Sequence, residues 1–273
     1  MAASNVDQSA SAPVLCSVDQ GVATVTLNRP ERNNGWSAEI ETAYFQILAD
    51  CDANPDVRVI VVTGAGKSFC PGADMNLLTG MSTGSEAAPG AGAAGAPRRP
   101  NHFPLSIRKP MLGAINGACA GVGLVQALMF DLRFAAAGAK FTVAFSRRGL
   151  IAEYGSAWLL PRIVGQSKAM DLLLSSRTIV AEEACSMGLV DRVLPKEQVL
   201  DQTLAYAYDV AANCSPASMA VMKRQVLEAS HLTIDEAAAV ANREMIASFG
   251  RPDFSEGVSS FVERRQPGFP PLT

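Results

Sequence analysis

The feature that most constrains this chain is a passage from strand through glycines into helix, running from Lys109 to Asp131 as KPMLGAINGACAGVGLVQALMFD. The apolar run Met111 to Ile115, bounded by Pro110 and Asn116-Gly117, reads as a buried strand. Small residues from Gly117 to Gly123 then open a helical pattern from Leu124 to about Phe130. A strand that turns through glycines into a helix leaves backbone N–H groups without partners, and the helix dipole adds positive potential there. Such a corner holds a phosphate, a carboxylate or a developing oxyanion, or is simply tight packing. A second corner follows the buried run Val59 to Thr63, through Gly64 to Asp74, where Asp74 is placed to cap a short helix from Met75 to about Leu78. Two such corners on one sheet can converge on a single carbonyl oxygen.

A chain of 273 residues, 48% hydrophobic and 18% charged, builds one soluble globular domain with a sizeable core or a core plus a helical appendix. A net charge of −3 argues against a general nucleic-acid binder, although Arg147-Arg148 and Arg264-Arg265 are local basic clusters. The 6 cysteines show no C-x-x-C spacing and there are 2 histidines, so neither a zinc site nor a disulfide framework is indicated. Reduced thiols and a cytoplasmic location are expected. Cys70 and Cys119, beside the two corners, read as small packing residues. No secretory signal pattern opens the chain and no apolar run approaches membrane-spanning length.

Taken in order, residues 1–12 read as a flexible tail. Val14 to Val18 and Val22 to Leu27 form a hairpin around Asp19-Gln-Gly21. A turn from Asn28 to Gly35 precedes a helix capped by Ser37 and reaching about Asp52, which leads to the Val59 strand as a β-α-β unit. The stretch from Thr79 to Pro100, rich in Gly, Ala, Ser and Pro, reads as a mobile loop: a lid or plain disorder. His102 follows, with no partner in view. Leu132–Ala137 and Lys140–Val143 are short strands, Gly155 precedes an apolar helix, and Lys196 to Arg264 is almost wholly helical.

The pair Ser68-Phe-Cys-Pro-Gly-Ala-Asp74 and Asn116-Gly-Ala-Cys-Ala-Gly-Val-Gly123, with Gly188-Leu-Val-Asp-Arg-Val-Leu-Pro195 further on, resembles the motifs of the crotonase (enoyl-CoA hydratase/isomerase) superfamily. The resemblance implies an α/β fold: a crotonase-like spiral of repeated β-β-α units over residues 13–195, with a helical region over 196–273 that serves assembly and completes the CoA site. It implies an acyl-CoA thioester substrate, CoA entering as part of the substrate with no separate cofactor and no metal, and a homotrimer or dimer of trimers without nucleic-acid or membrane partners. The thioester oxygen would lie between the backbone N–H groups of Ala73 and Val122. By the same resemblance Arg29 and Arg32 meet the CoA nucleotide, or are ordinary solvated arginines. Arg264 reaches the 3′-phosphate, or is a surface residue.

Superfamily hydratases position a water between two glutamates. The matching positions here are Val125 and Phe145, neither of which transfers a proton. Glu153 stands where some superfamily isomerases carry their acidic base, in an apolar stretch that would raise its pKa. The bland alternative is a solvated acid at a helix N-terminus. Double-bond isomerisation of an enoyl-CoA through Glu153 is therefore the expected reaction. Hydration using Glu153 with Tyr154 or a loop residue stands second, and a non-catalytic acyl-CoA binder third.

Overall fold

A computed structural model describes residues 11–74, 79–80, 83 and 99–272. The hairpin pairs β1 (Val14–Asp19) antiparallel with β2 (Val22–Leu27). Ser37 then caps α1 (Ala38–Ala53), its Oγ accepting the Ile40 N–H at 3.3 Å. β3 (Val59–Gly64) returns parallel to β2, which completes the expected β-α-β unit. The large sheet continues through β5 (Met111–Ile115), β7 (Leu132–Ala136) and β10 (Arg192–Leu194), in the order β1-β2-β3-β5-β7-β10. A smaller sheet holds β4 (Ser68–Cys70), β6 (Ala118–Ala120), β8 (Lys140–Thr142) and β9 (Ile179–Val180), in the order β4-β6-β8-β9.

The chain alternates between these sheets. β3 is followed by β4, β5 by β6 and β7 by β8, so three successive strands of the large sheet each hand on to a short strand of the small one. After β6 comes α2 (Val122–Leu128); after β8 come α3 (Ser156–Val164), α4 (Gln166–Ser175) and, beyond β9, α5 (Ala181–Ser186). This stepwise repetition is the spiral of β-β-α units expected from the sequence.

Burial explains why the central strands read as continuous apolar runs. On β3, Ile60 and Val62 enter the main core while Val59 and Val61 face the other side, with Leu112 and Ala114 of β5. That second face is covered by α6 (Val199–Asn213) through Ala207 and Ala211. A sheet packed on both faces carries no polar alternation. Arg133, buried in β7, donates to the carbonyls of Phe130 (2.6 Å) and Leu189 (2.8 Å) beside Asp191.

The helical tail continues with α7 (Pro216–Ala229), α8 (Ile234–Phe249) and α9 (Pro252–Glu263). α8 opens with a reciprocal capping box between Thr233 and Glu236. The guanidinium of Arg58 ties the tail to the sheet, donating to Ala211 O at 3.0 Å and Phe269 O at 2.7 Å. Lys223 on α7 does the same through Asp131 (2.8 Å) and Lys109 O (3.0 Å). Ile246, Phe249, Phe261 and Val262 remain exposed on the outer helices. The short helix expected after Asp74 and most of the expected loop to Pro100 lie outside the described residues, as does most of the N-terminal tail.

Candidate active site

The two corners meet because β4 and β6 run side by side and parallel, Ser68 opposite Ala118 and Cys70 opposite Cys119. Both chains therefore leave the small sheet at the same end. Beyond β4, Trp36 N–H donates to Gly72 O (2.8 Å) and Asp74 N–H to Trp36 O (3.0 Å), forming an isolated parallel bridge between Trp36 and Ala73. In that pattern the N–H of Ala73 itself points away from Trp36.

Contact between the corners is backbone to backbone. Gly72 has a left-handed φ of +108°, and a Cβ there would lie 3.2 Å from Ala120 O. A Cβ on Gly123 would lie 2.3 Å from Cys70 O, well inside any real contact, so only glycine fits. Val122, between Gly121 and Gly123, is the first residue of α2, and its N–H has no helical carbonyl one turn back. Ala73 and Val122 therefore lie on adjacent corners, the second at the start of a short buried helix. Cys70 and Cys119 pack beneath. Burial pushes the Cys70 thiol up to about 12 and Cys119 well above its usual value, so both are neutral packing groups.

Val125 and Phe145 are both buried in the main core. No proton-transferring side chain occupies either position. Glu153 is part-buried, and desolvation raises its carboxyl pKa. Its carbonyl accepts the Ser156 N–H at 3.0 Å. Tyr154 (φ 54°) and Gly155 (φ 80°) are both left-handed and turn the chain sharply into α3. For a tyrosine this conformation costs on the order of 1–2 kcal/mol, so the surrounding fold over-determines it.

The turn aims Tyr154 into a cavity of about 490 Å³, walled by Asn101, His102, Leu105, Tyr154, Trp158 and Leu159. The Trp158 ring is held by Arg162, whose guanidinium carbon lies 3.8 Å from its centroid, and by His231, stacked at 5.8 Å. The cavity adjoins the second corner: α3 packs on α2, and Gln126 of α2 reaches the carbonyl of Asn101. The carboxylate of Glu153 is next to this wall in sequence without forming part of it.

Sequence reasoning missed most of the wall. His102, without a visible partner in the sequence, stands in it, as do Asn101 and Leu105. Tyr154 and Trp158 belong to the apolar stretch around Glu153 that the sequence shows; the 101–105 segment offered no such signal. The Arg29 side chain is 20% exposed. Its Nη1 donates to Ser37 Oγ at 3.1 Å, and with Arg32 it flanks the carboxylate of Asp74, at 4.0 and 3.7 Å. Arg264 is exposed and closes α9 in a left-handed conformation. Arg147 and Arg148 are spent on local carbonyls, Ser175 O and Ala144 O.

The spiral of β-β-α units with two touching glycine corners defines a class, and comparison with known proteins gives the same one. The model of the enoyl-CoA hydratase/isomerase family matches residues 17–271. The chain belongs to that family, whose members act on acyl-CoA thioesters. It is 34% identical over 261 residues to the 1,2-epoxyphenylacetyl-CoA isomerase of Escherichia coli K12, covering 94% of this chain and 97% of that one. It is 32% identical over 250 residues to enoyl-CoA hydratase ACTT3 of Alternaria alternata, covering 91% and 83%. Among solved structures, an enoyl-CoA hydratase from Polaromonas sp. JS666 superposes with a TM-score of 0.85 at 27% identity, over 94% of this chain and 99% of that one. Among the described residues no helix is long and apolar enough to cross a membrane, and no cluster of three metal-ligating side chains occurs.

Proposed function

We propose that the protein shifts a double bond within an enoyl-CoA thioester, with Glu153 as the single acid and base. The observation that carries this reading is the contrast between two buried apolar residues, Val125 and Phe145, and one part-buried acid whose pKa burial raises. Hydration requires a positioned water and groups to deprotonate it and return a proton; an apolar pair in those places offers neither. Isomerisation requires one carboxylate that removes a proton at one carbon and returns it at another. The thioester oxygen, negative while the proton is away, is held between the N–H groups of Ala73 and Val122. A single such donor contributes roughly 3 kcal/mol to lowering the barrier. The similarity to an isomerase at 34% identity is compatible with this; the similarity to a hydratase at 32% makes hydration the competing outcome.

In this reading the CoA moiety lies along the turn from Asn28 to Gly35, with Arg32 and Arg29 near its phosphates or adenine and Arg264 at the 3′-phosphate. Asp74 lies between the two arginine heads, at 4.0 and 3.7 Å. The exposed apolar residues of α8 and α9 support assembly into a trimer or a pair of trimers; sedimentation as a stable monomer would remove that part.

The test is to incubate trans-3-enoyl-CoA and trans-2-enoyl-CoA separately with the wild type and with Glu153→Gln. Isomerisation predicts a product of unchanged mass from the 3-enoyl substrate that disappears in the variant. A gain of one water from the 2-enoyl substrate means a hydratase. Tight binding without turnover of either means an acyl-CoA binder.

A further inference from the structure

Two of the 6 cysteines, unpaired by any sequence spacing, are brought together away from both corners. Cys16 on β1 and Cys51 in the last turn of α1 lie with their sulfurs 3.7 Å apart, 35 residues from each other in the chain. We propose that Cys16 and Cys51 form a redox pair, which a peroxide converts into a disulfide joining the edge strand of the large sheet to α1.

Three features support this. The first is asymmetric access. β1 is the edge of the sheet, and Cys16 is part-buried there, packed against the core from its rim, whereas Cys51 is buried. An oxidant from solvent meets Cys16 first. The second is asymmetric acidity. A hydrogen bond from the Cys51 thiol lowers the Cys16 pKa, outweighing burial and the nearby Asp50, and the same bond with burial keeps Cys51 protonated. The reactive form of a cysteine is its thiolate, so attack begins at Cys16.

The third feature is a fixed partner. The buried ammonium of Lys109 donates to Cys51 O at 2.7 Å and Asn54 O at 2.5 Å, clamping the end of α1. Beside it Arg108 grips Asp52, donating from its backbone N–H and from Nε at 2.8 and 2.9 Å. The helix end therefore stays in place, and the bond forms by side-chain rotation on the edge strand, closing the sulfurs to about 2 Å.

The chemistry balances with the peroxide as oxidant. The Cys16 thiolate attacks one peroxide oxygen, the O–O bond breaks, and the departing hydroxide takes a proton to become water, leaving a sulfenic acid. The Cys51 sulfur then attacks the Cys16 sulfur. The S–O bond breaks, and the leaving hydroxide takes the Cys51 proton as a second water. Two thiols and one peroxide give one disulfide and two waters.

Three of the other cysteines are worse placed. Cys70 and Cys119 face each other across parallel strands, and burial holds both neutral. Cys214 is exposed, and its thiol is pushed up by partial burial and Asp209.

The test treats the whole chain with hydrogen peroxide, alkylates it under denaturing conditions and digests it without reductant. The expected result is two fewer alkylated thiols, an intact mass lower by two hydrogens, and a linked peptide containing Cys16 and Cys51 that dithiothreitol separates. In Cys51→Ala the oxidation should stop at a dimedone-reactive sulfenic acid on Cys16, and Cys16→Ser should form no link. Full alkylation of both cysteines after treatment, or a link made by any other pair, overturns the proposal. The wild-type digest separates these outcomes even if Cys51→Ala fails to fold.

Discussion

Gly123→Ala tests whether contact between the two corners aligns their N–H groups. The added methyl would stand 2.3 Å from Cys70 O, about 1.1 Å short of an ordinary contact at 3.4 Å, and 2.8 Å from Cys70 Sγ. The sulfur can turn away, but the carbonyl belongs to buried β4 and cannot. Relief must come from withdrawal of the start of α2 by up to about 1 Å, which carries the Val122 N–H with it. Overpacking of this kind costs about 1–3 kcal/mol of stability. Moving one donor out of range costs the barrier roughly 3 kcal/mol, a loss of about 10²-fold in kcat. The assay is turnover of the thioester substrate at saturation, with the melting temperature measured in parallel. Gly138→Ala is the control: its φ is +69° and an added Cβ meets nothing within 4 Å, so it should lose stability alone, by about 1 kcal/mol. If Gly123→Ala folds and keeps kcat within about threefold, the corners do not position the donors and the oxyanion assignment falls.

Glu153→Gln should abolish turnover while leaving stability unchanged or higher at neutral pH. Its folded pKa is raised, so the folded state binds the proton more tightly than the unfolded chain, and that contribution is lost as pH rises through the folded pKa. A melting temperature at pH 7 well below the wild type would contradict it. By the same shift, the acid limb of kcat/KM in the wild type should fall above the ordinary carboxylate range; a limb at that ordinary range would show that another group titrates. Arg133→Met should destabilise the fold by about 3 kcal/mol, since it orphans the carbonyls of Phe130 and Leu189 and leaves Asp191 without its guanidinium partner, holding only the backbone N–H of residue 133; urea titration showing less than about 1 kcal/mol would refute that. Trp158→Ala should raise KM for acyl substrates more than it lowers kcat, because the ring walls the cavity and carries no proton in the reaction; an unchanged KM would place the acyl group elsewhere.

Local chemistry wrote much of this protein into its sequence. Asp19-Gln-Gly21 makes a hairpin because its turn needs left-handed residues, and Gln20 and Gly21 both adopt them. Ser37 caps α1 because its hydroxyl can reach the N–H three residues on. The runs Val59–Gly64 and Met111–Ile115 are strands because uniform apolar sequence suits a sheet covered on both faces. The glycine corners, and the apolar residues at 125 and 145, were visible for the same reason: each is a property of one short segment. Contacts between distant segments carry no such local signature, and tertiary packing alone decided them. It brought Gly123 onto Cys70, Asp74 between Arg29 and Arg32, the 101–105 segment against Tyr154 and Trp158, and Cys16 against Cys51. Period and propensity act over a few residues, whereas these meetings depend on which strands pair and how the sheets stack, which the whole chain settles at once.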